Sequence, residues 1–203
     1  ITDELINTIK KHPKICPYFD IPIQHISDTV LKRMNRHSNS KSIKDLIIKI
    51  RKELPNAILR TTVMVGFPSE TNEELQELYE FIKEAKFDKL GAFMYSKEEG
   101  TPAEKMENQV HWKTKKSRYN KIMEVQQEIS RKNLGEKIGK TYEVMIEGIT
   151  KNGKYYVGRS YMDTPEIDGN VYIQNNKDLQ NGEFVECRIT KVKDYDLIGE
   201  IIP

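Results

Sequence analysis

The first hundred residues alternate between two spacings of apolar side chains. Short apolar runs typical of buried strands occupy residues 16–24, 57–66 and 87–96, and helical spacings of apolar residues separate them. Thr71 and Glu74 have the spacing of a capping box at the start of one such helix. Strands that alternate with helices are joined by right-handed crossovers into a parallel sheet. The pattern therefore predicts an α/β fold, either part of a (β/α) barrel or part of an open α/β sheet.

The pattern changes after residue 113. Residues 113–134 are polar with a few apolar positions on one side, which predicts a connecting helix that lies on a surface. From residue 141 onward only strand patterns remain, and Gly- and Asn-rich turns separate the five runs. Five short strands of this kind predict a small, nearly closed all-β barrel like the OB fold. We therefore expect two domains, residues 1–137 and 138–203.

The composition is that of a globular protein. The chain has 203 residues, of which 37% are hydrophobic, enough to bury a core. No apolar run approaches the roughly 20 residues that cross a bilayer, and the first residues lack the pattern of a signal peptide. We expect a cytoplasmic location and no membrane contact. The chain opens without Met inside an amphipathic helical pattern, which indicates a piece of a longer protein.

The two cysteines, Cys16 and Cys187, are far apart in the sequence. Neither has a neighbouring His or Cys at the spacing of metal ligands, so the sequence predicts neither a disulfide framework nor a metal site. Free cysteines are usually buried and inert, and we expect both to be small core residues.

The two predicted domains differ in net charge. Residues 138–203 hold eight Lys and Arg against eleven Asp and Glu, a net charge of −3, whereas the remainder carries +5. Nucleic-acid binding depends on basic side chains, so an acidic barrel is poorly suited to it. The loop with Asp163, Glu166 and Asp168, together with the acidic turn 194–196, predicts a docking surface for a basic protein. Solvated loop acids without a partner remain the alternative.

Polar side chains follow three strands of the predicted sheet. Gln24, His25 and Ser27 follow the first strand, Gly66 ends the second, and Tyr95 follows the third. Ligands of parallel α/β sheets bind outside the carboxyl ends of the strands. We therefore predict a ligand site at this edge. Each element also has an ordinary explanation, since Gly-x-Pro turns end many strands and a lone histidine is more often a hydrogen-bonded, partly buried residue.

The motifs in combination resemble one family. YFDIPIQHISDTVLKRMNR, RTTVMVGFPSETNEEL and FDKLGAFMYSKEEGTPA, followed by GRSYMDTPEIDG, are similar to the radical-SAM methylthiotransferases with a C-terminal TRAM domain, over essentially the whole chain. PIQHIS and PEIDG look like the RimO-type branch, which modifies an aspartate of a small-subunit ribosomal protein. The MiaB-type branch, which modifies adenosine in transfer RNA, typically reads Gln-Ser-Gly-Ser at the first motif and remains an alternative. A non-catalytic OB-like RNA-binding module with exposed tyrosines is a second alternative.

The resemblance implies two kinds of cofactor, S-adenosylmethionine and two [4Fe–4S] clusters. In the family a CxxxCxxC loop holds one cluster, which cleaves S-adenosylmethionine to a radical that abstracts hydrogen. No such loop occurs in this chain, so the resemblance implies that the cluster ligands lie outside this segment. It also implies that the segment contains no catalytic residue and is inactive alone. The segment would still form part of the S-adenosylmethionine site and bind the substrate. The implied partner is a basic ribosomal protein, with an unidentified electron donor and no direct nucleic-acid contact.

The resemblance also implies roles for individual residues. Residues 60–70 correspond to the family's strand along the adenine, although Thr62 replaces the first Gly of its motif and Glu70 comes one position late. The resemblance assigns Met64 to the adenine face and Gly66 to a close approach of the backbone. The other implied cofactor-binding residues are Gln24 and Ser27 for the ribose or methionine part, Arg36 and Arg60 for the methionine carboxylate, and Tyr95 as a flank.

Overall fold

The computed structural model of the chain describes residues 1–174 and 178–202. By their internal contacts the residues divide into two compact units, Ile1–Ile129 and Ser130–Pro203. The division falls inside a long helix, a few residues before the predicted boundary at residue 137. The domain boundary itself stays a prediction.

The first unit contains a three-stranded parallel sheet in the order β1-β2-β3. In its register Asp20 pairs with Arg60, and Arg60 pairs with Lys89. Its elements are α1 (Asp3–Lys11), β1 (Tyr18–Asp20), α2 (Asp28–Arg33), α3 (Ser40–Glu53), β2 (Ile58–Val65), α4 (Asn72–Ala85), β3 (Lys89–Met94), a 3₁₀ helix (Pro102–Lys105) and most of α5 (Trp112–Gly135). The strand–helix–strand–helix–strand order confirms the α/β prediction.

The two faces of this sheet have different surroundings. Leu59, Val63 and Val65 of β2 are fully buried against the helices. The residues between them, Arg60, Thr62 and Met64, are only half-buried. Helices cover both faces of a doubly wound sheet but only the outer face of a (β/α) barrel. The one-sided cover agrees with the predicted part of a (β/α) barrel.

The helix starts follow from local capping. The Thr71 hydroxyl accepts a hydrogen bond from the Glu74 amide, and the Glu74 carboxylate accepts one from the Thr71 amide, which is the predicted capping box. The same reciprocal arrangement joins Asn39 and Ser42 at the start of α3. These caps satisfy amide groups that the first turn of a helix leaves without partners.

Several local expectations differ from the structure. β1 spans three residues rather than the predicted 16–24, because Pro17 and Pro22 lack the amide proton that a ladder needs. Cys16 is exposed, so the expectation of a core cysteine was wrong there, whereas Cys187 is buried as expected. The six-residue α2 and the 3₁₀ helix were not predicted, since each is too short to show a periodic pattern.

The helix α5 is less superficial than predicted. Arg118, Ile122, Val125 and Gln126 are buried, and the two apolar residues belong to the core of the first unit. The Gln126 side chain donates to the carbonyl of Phe87 over 2.9 Å. One side of the first part of this helix is therefore an integral layer of the fold.

The second unit contains the predicted five-stranded barrel, closed in the order β4-β5-β6-β8-β7. Val144, Ile146, Val171 and Ile173 are fully buried inside it. A Cβ at Gly199 would overlap the Cys187 sulfur, so the absence of a side chain there lets the barrel close. Its strands are β4 (Thr141–Ile149), β5 (Tyr155–Arg159), β6 (Val171–Gln174), β7 (Phe184–Val192) and β8 (Leu197–Ile201).

Among residues 1–174 and 178–202, no helix combines the length and the apolar composition that a membrane span requires.

Candidate functional site

The carboxyl ends of the three parallel strands meet at one edge of the first unit's sheet. The Gln24 amide donates to Thr62 over 2.9 Å, and the Gln24 carbonyl accepts from Met64 over 2.8 Å. The Tyr95 amide donates to the Val65 carbonyl over 2.9 Å. We call this edge the strand-end rim and define it as residues 24–27, 66–70 and 95. The structure thus brings Gln24, Ser27, Gly66 and Tyr95 to one edge.

The rim has an apolar side. Val30, Phe67 and Tyr95 are buried together, and Met64 packs against them. The rings of Phe67 and Tyr95 meet edge to face with centroids 5.2 Å apart. Beside Met64 in the sheet register, Phe93 is 59% exposed on the open face. A planar apolar group would find both aromatic and thioether surface here.

Gln24 and Ser27 belong to a short loop with unusual backbone geometry. Gln24 is half-buried and has a φ of 68°, which is uncommon for a residue other than glycine. Ser27 is buried, its amide donates to His25 Nδ1 over 3.0 Å, and its hydroxyl lies 3.0 Å from that of Thr29. A left-handed residue held in a strand pairing is characteristic of sites where geometry is fixed for function.

Gly66 is required by its own backbone and by a neighbouring side chain. Its φ of 73° lies in the left-handed region, and a Cβ there would overlap the Lys115 side chain of α5. Lys115 continues over the Tyr95 ring, and its ammonium donates to the Tyr95 carbonyl over 2.8 Å. Burial lowers the pKa of Lys115. A lysine stem of the same chain therefore lies close to Gly66, and the approach of a ligand to the Gly66 backbone stays a prediction.

A buried polar network lies directly behind the rim. The Glu70 carboxylate accepts from the Gly66 amide over 2.8 Å and from Arg118 over 2.8 Å. Arg118 also donates to the Glu70 carbonyl over 3.0 Å and to Asn72 over 3.1 Å. His25 Nε2 lies 3.9 Å from the same carboxylate. Burial raises the pKa of Glu70, and Arg118 opposes that change.

Sequence reasoning did not find this network. It left the contact of Glu70 open, treated His25 as an ordinary histidine and did not single out Arg118. One signal was available, since Arg118 has helical spacing with the apolar Ile122 and Val125 and therefore lies on the packed side of α5. A charged residue on an apolar stripe requires a buried partner.

The two predicted carboxylate-binding arginines differ in position. Arg36 is exposed and donates to the Pro22 carbonyl over 2.6 Å, two residues before the rim begins. Arg60 is ion-paired with Asp20 and precedes Gly66 by six positions, about 20 Å along a strand. The structure does not bring Arg60 to the rim. The cofactor roles of both arginines stay predictions.

In the second unit the two acidic loops adjoin one another. The Asn170 amide donates to the Asp196 carboxylate over 2.9 Å, and a Cβ at Gly169 would overlap the Tyr195 carbonyl. We call residues 163–168 and 194–196 the acidic end of the barrel. Within it Glu166 and Asp194 are exposed.

Two of the three predicted docking acids also support their own loop. Asp163 accepts from the Ser160 hydroxyl over 2.9 Å, and Asp168 accepts from the Thr164 amide over 2.9 Å. Glu166 has a φ of 63° at the turn between them. The three carboxylates are therefore close in the fold, with Glu166 the most accessible.

Metal ligation is not supported by any side-chain cluster in the described part of the chain. Among residues 1–174 and 178–202, no three His, Cys, Asp or Glu side chains are grouped to hold a metal ion. The rim by contrast suits a nucleoside, because it combines an apolar wall with polar side chains and backbone at the same edge.

Comparison with known families agrees with both units. Residues 1–82 match the Radical SAM superfamily, and residues 138–202 match the TRAM domain. The first matched segment contains β1 and β2 of the parallel sheet, and the second contains the closed five-stranded barrel. The fold and the matches define a radical-SAM protein with a TRAM domain.

Curated relatives match over nearly the entire chain, and all three described here are named ribosomal protein uS12 methylthiotransferase RimO. The relative from Alkaliphilus oremlandii (strain OhILAs) is 59% identical over 202 residues, which are 99% of this chain and 46% of that protein. The relative from Clostridium novyi (strain NT) is 52% identical over 99% of this chain and 45% of that protein. The relative from Caldicellulosiruptor saccharolyticus is 50% identical over 100% of this chain and 46% of that protein. The chain spans about half the length of the curated relatives it matches. The chain is thus similar over nearly its whole length to curated methylthiotransferases, and its two segments match the Radical SAM superfamily and the TRAM domain, which confirms the resemblance of its motifs.

Proposed function

We propose that this chain is part of a cytoplasmic radical-SAM enzyme that adds a methylthio group to an aspartate of a small-subunit ribosomal protein. In this proposal the first unit frames S-adenosylmethionine and the barrel docks the protein substrate. The observation that carries it is the strand-end rim, where Gln24, Gly66 and Tyr95 share one edge beside an apolar wall. The names of the curated relatives support ribosomal protein uS12 as the substrate.

The residues of the rim fit the two chemical halves of S-adenosylmethionine. Met64 and the exposed Phe93 ring offer apolar surface to the adenine, and the buried Phe67–Tyr95 pair supports Met64 from behind. Gln24 and Ser27 offer polar groups to the ribose or the methionine part, and Arg36 is an exposed cation near them. When bound, S-adenosylmethionine and the two [4Fe–4S] clusters would supply the radical chemistry and the methyl group. The cluster ligands would come from other parts of a longer protein.

The acidic end of the barrel supports docking of a basic protein. Its two loops are joined by hydrogen bonding, and Glu166 and Asp194 present carboxylates to solvent. Complementary charge accelerates association more than it raises affinity, and salt screens it over a Debye length of about 8 to 10 Å. Direct binding of transfer RNA would instead require a basic face.

The substrate is tested by offering the reconstituted full-length protein either ribosomal protein uS12 or transfer RNA. We expect mass spectrometry to find a methylthio group on an aspartate of the ribosomal protein. A methylthio group found only on adenosine of the RNA would contradict the proposed substrate and support the transfer-RNA branch.

Titration of S-adenosylmethionine by calorimetry, with Arg36→Ala beside the unchanged protein, tests the cofactor part. A charged hydrogen bond from Arg36 predicts a loss of about 1.5 to 3 kcal/mol.

The docking surface is tested with two variants of equal charge change. Glu166→Gln/Asp194→Asn removes the two exposed carboxylates of the acidic end, and Glu143→Gln/Glu186→Gln neutralises two exposed acids that pair across β4 and β7. We expect the first variant to slow association of ribosomal protein uS12 and to weaken its salt dependence. Equal slowing by both variants would show a general charge effect and would contradict docking at the acidic end.

A further inference from the structure

The strand-end rim is supported from behind by a carboxylate with two separate attachments. One Glu70 oxygen accepts from the Gly66 amide over 2.8 Å, and the other accepts from Arg118 over 2.8 Å. Arg118 also donates to the Glu70 backbone carbonyl over 3.0 Å. Both the side chain and the backbone of Glu70 are therefore fixed by one guanidinium from α5. The carboxylate cannot rotate away from Gly66 without breaking the contact with Arg118.

The fixed carboxylate determines the position of the rim's apolar wall. Gly66 has a left-handed backbone, and Phe67, the next residue, packs edge to face against Tyr95 with centroids 5.2 Å apart. A change in the Gly66 turn would therefore move Phe67 relative to Tyr95. This path from Arg118 to Phe67 has two intermediate residues, Glu70 and Gly66. Lys115 of α5 also contacts the wall directly, at Tyr95.

His25 completes the network without adding charge. Its Nδ1 accepts from the Ser27 amide over 3.0 Å, so in the neutral ring the proton lies on Nε2. That nitrogen lies 3.9 Å from Glu70 Oε2 and has no hydrogen-bond partner among the residues that the structure describes. The loop that contains Gln24 thus presents an N–H group to the carboxylate that holds Gly66.

A buried ion pair is more than a turn of this kind needs. Neutral Ser or Asn side chains support turns elsewhere in proteins, whereas burying two charges carries a desolvation cost that their attraction does not reliably offset. Glu70 and Arg118 are nevertheless both buried. Arg118 also lies between the two segments that match known families, so neither match assigns it a role.

We propose that Glu70 and Arg118 are positioning residues of the cofactor site: Arg118 holds the Glu70 carboxylate, and Glu70 holds the Gly66 turn and with it the wall against which the adenine lies. This inference rests on the proposed binding of S-adenosylmethionine at the rim. Neither residue touches the cofactor in this proposal. Their effect is to fix the backbone before the cofactor arrives, which reduces the ordering that binding would otherwise require.

The test compares two double variants of the reconstituted full-length protein. Glu70→Gln/Arg118→Met and Glu70→Met/Arg118→Met both remove the two buried charges, but only the glutamine retains an oxygen that accepts from the Gly66 amide. We expect the glutamine variant, which keeps the acceptor but loses the guanidinium that holds it, to bind S-adenosylmethionine about three- to tenfold more weakly than the unchanged protein. The methionine variant should bind at least about thirtyfold more weakly, by calorimetry. Unchanged affinity in the glutamine variant would overturn the role of Arg118. Hydrogen exchange at the Gly66 amide should accelerate at least about tenfold in the methionine variant alone.

Lys121→Met is the matched control, because Lys121 lies one turn further along α5 and contacts Gln76 and the Tyr79 ring instead. Affinity and Gly66 exchange should both stay within about twofold of the unchanged protein in this variant. Equal affinity in the two double variants would overturn the positioning role. If the unchanged protein does not bind S-adenosylmethionine, the proposed function is contradicted. The exchange rate of the Gly66 amide still tests the inference in that case. Equal exchange rates in the two double variants would overturn the inference.

Discussion

The two units of the molecule differ in where they place charge and in how completely they cover their sheets. The barrel closes on itself, with Val144, Ile146 and Ile173 inside and its ion pairs on the surface. The first unit covers one sheet face with helices and buries Glu70 and Arg118 behind the strand-end rim. Buried charges are costly for a fold that has no other purpose. The difference supports the proposal that the first unit frames the cofactor and the barrel docks the substrate.

Truncation of a buried core side chain in each unit should give the largest losses of the free energy of unfolding, and it tests whether the two units have separate cores. Leu78 of α4 and Ile146 of β4 are both fully buried. Leu78→Ala and Ile146→Ala should each lower the free energy of unfolding by about 2 to 5 kcal/mol, because each leaves a cavity. We expect the loss of amide protection in hydrogen exchange to be concentrated in the unit that carries the substitution. Equal loss throughout the chain would break the comparison between two separate cores.

A pH effect of similar size should be specific to the first unit. Burial lowers the pKa of His25 from 6.5 to about 4; Glu74 opposes this, and Arg33 and Arg118 add to it. The unfolded chain therefore takes up a proton at His25 below pH 6.5, whereas the folded chain resists until about pH 4. The neutral His25 ring contributes its full share of the free energy of unfolding above pH 6.5. About 3 kcal/mol of that free energy should be lost as the pH falls to 4.

The measurement is urea unfolding of this chain across that pH range. His25→Gln should remove most of the pH dependence between 6.5 and 4. His37→Gln, at an exposed histidine, should leave it in place. If the free energy of unfolding still depends on pH to the same extent in the His25→Gln variant, the effect belongs to other groups.

Helix caps in the first unit should give smaller effects. Thr71→Ala removes the oxygen that accepts from the Glu74 amide at the start of α4, directly after Glu70. The free energy of unfolding should fall by about 1 kcal/mol. Asn39→Ala removes the equivalent cap of α3 and serves as the comparison in thermal unfolding. A clearly larger loss at Thr71 would show that this cap also supports the strand-end rim.

The smallest effect is expected on the outside of the barrel. Arg188 donates to Glu200 over 2.6 Å, but both side chains are about half exposed. Arg188→Ala should therefore lower the free energy of unfolding by only about 0.2 to 1 kcal/mol in chemical denaturation. A loss as large as that of a core truncation would contradict the view that the barrel's charges serve recognition rather than stability.

Elements with strong local patterns could be predicted from the sequence. The apolar run that became β2, the Thr71 capping box and the five barrel strands all depend on neighbours within a few residues. The placement of Gln24, Gly66 and Tyr95 at one edge also followed, because parallel strands end on the same side of a sheet.

Features that depend on distant residues could not be predicted in the same way. Glu70 and Arg118 are 48 residues apart, and no local pattern links them. The contact between Gly66 and the stem of Lys115 is another example, because the packing of α5 decides it. Arg60 has the right chemistry for a carboxylate, but the strand register pairs it with Asp20 instead.

The two thiols of the chain have opposite accessibilities. Cys16 is exposed, whereas burial and the nearby Glu200 raise the pKa of Cys187 to about 12, so its reactive thiolate is scarce at neutral pH. An alkylating reagent applied to this folded chain would therefore modify Cys16 first, and a fluorophore attached there would label the first unit alone. Subsequent modification of Cys187 would record the first opening of the barrel in each molecule, so one reagent could time the unfolding of the TRAM region without any substitution.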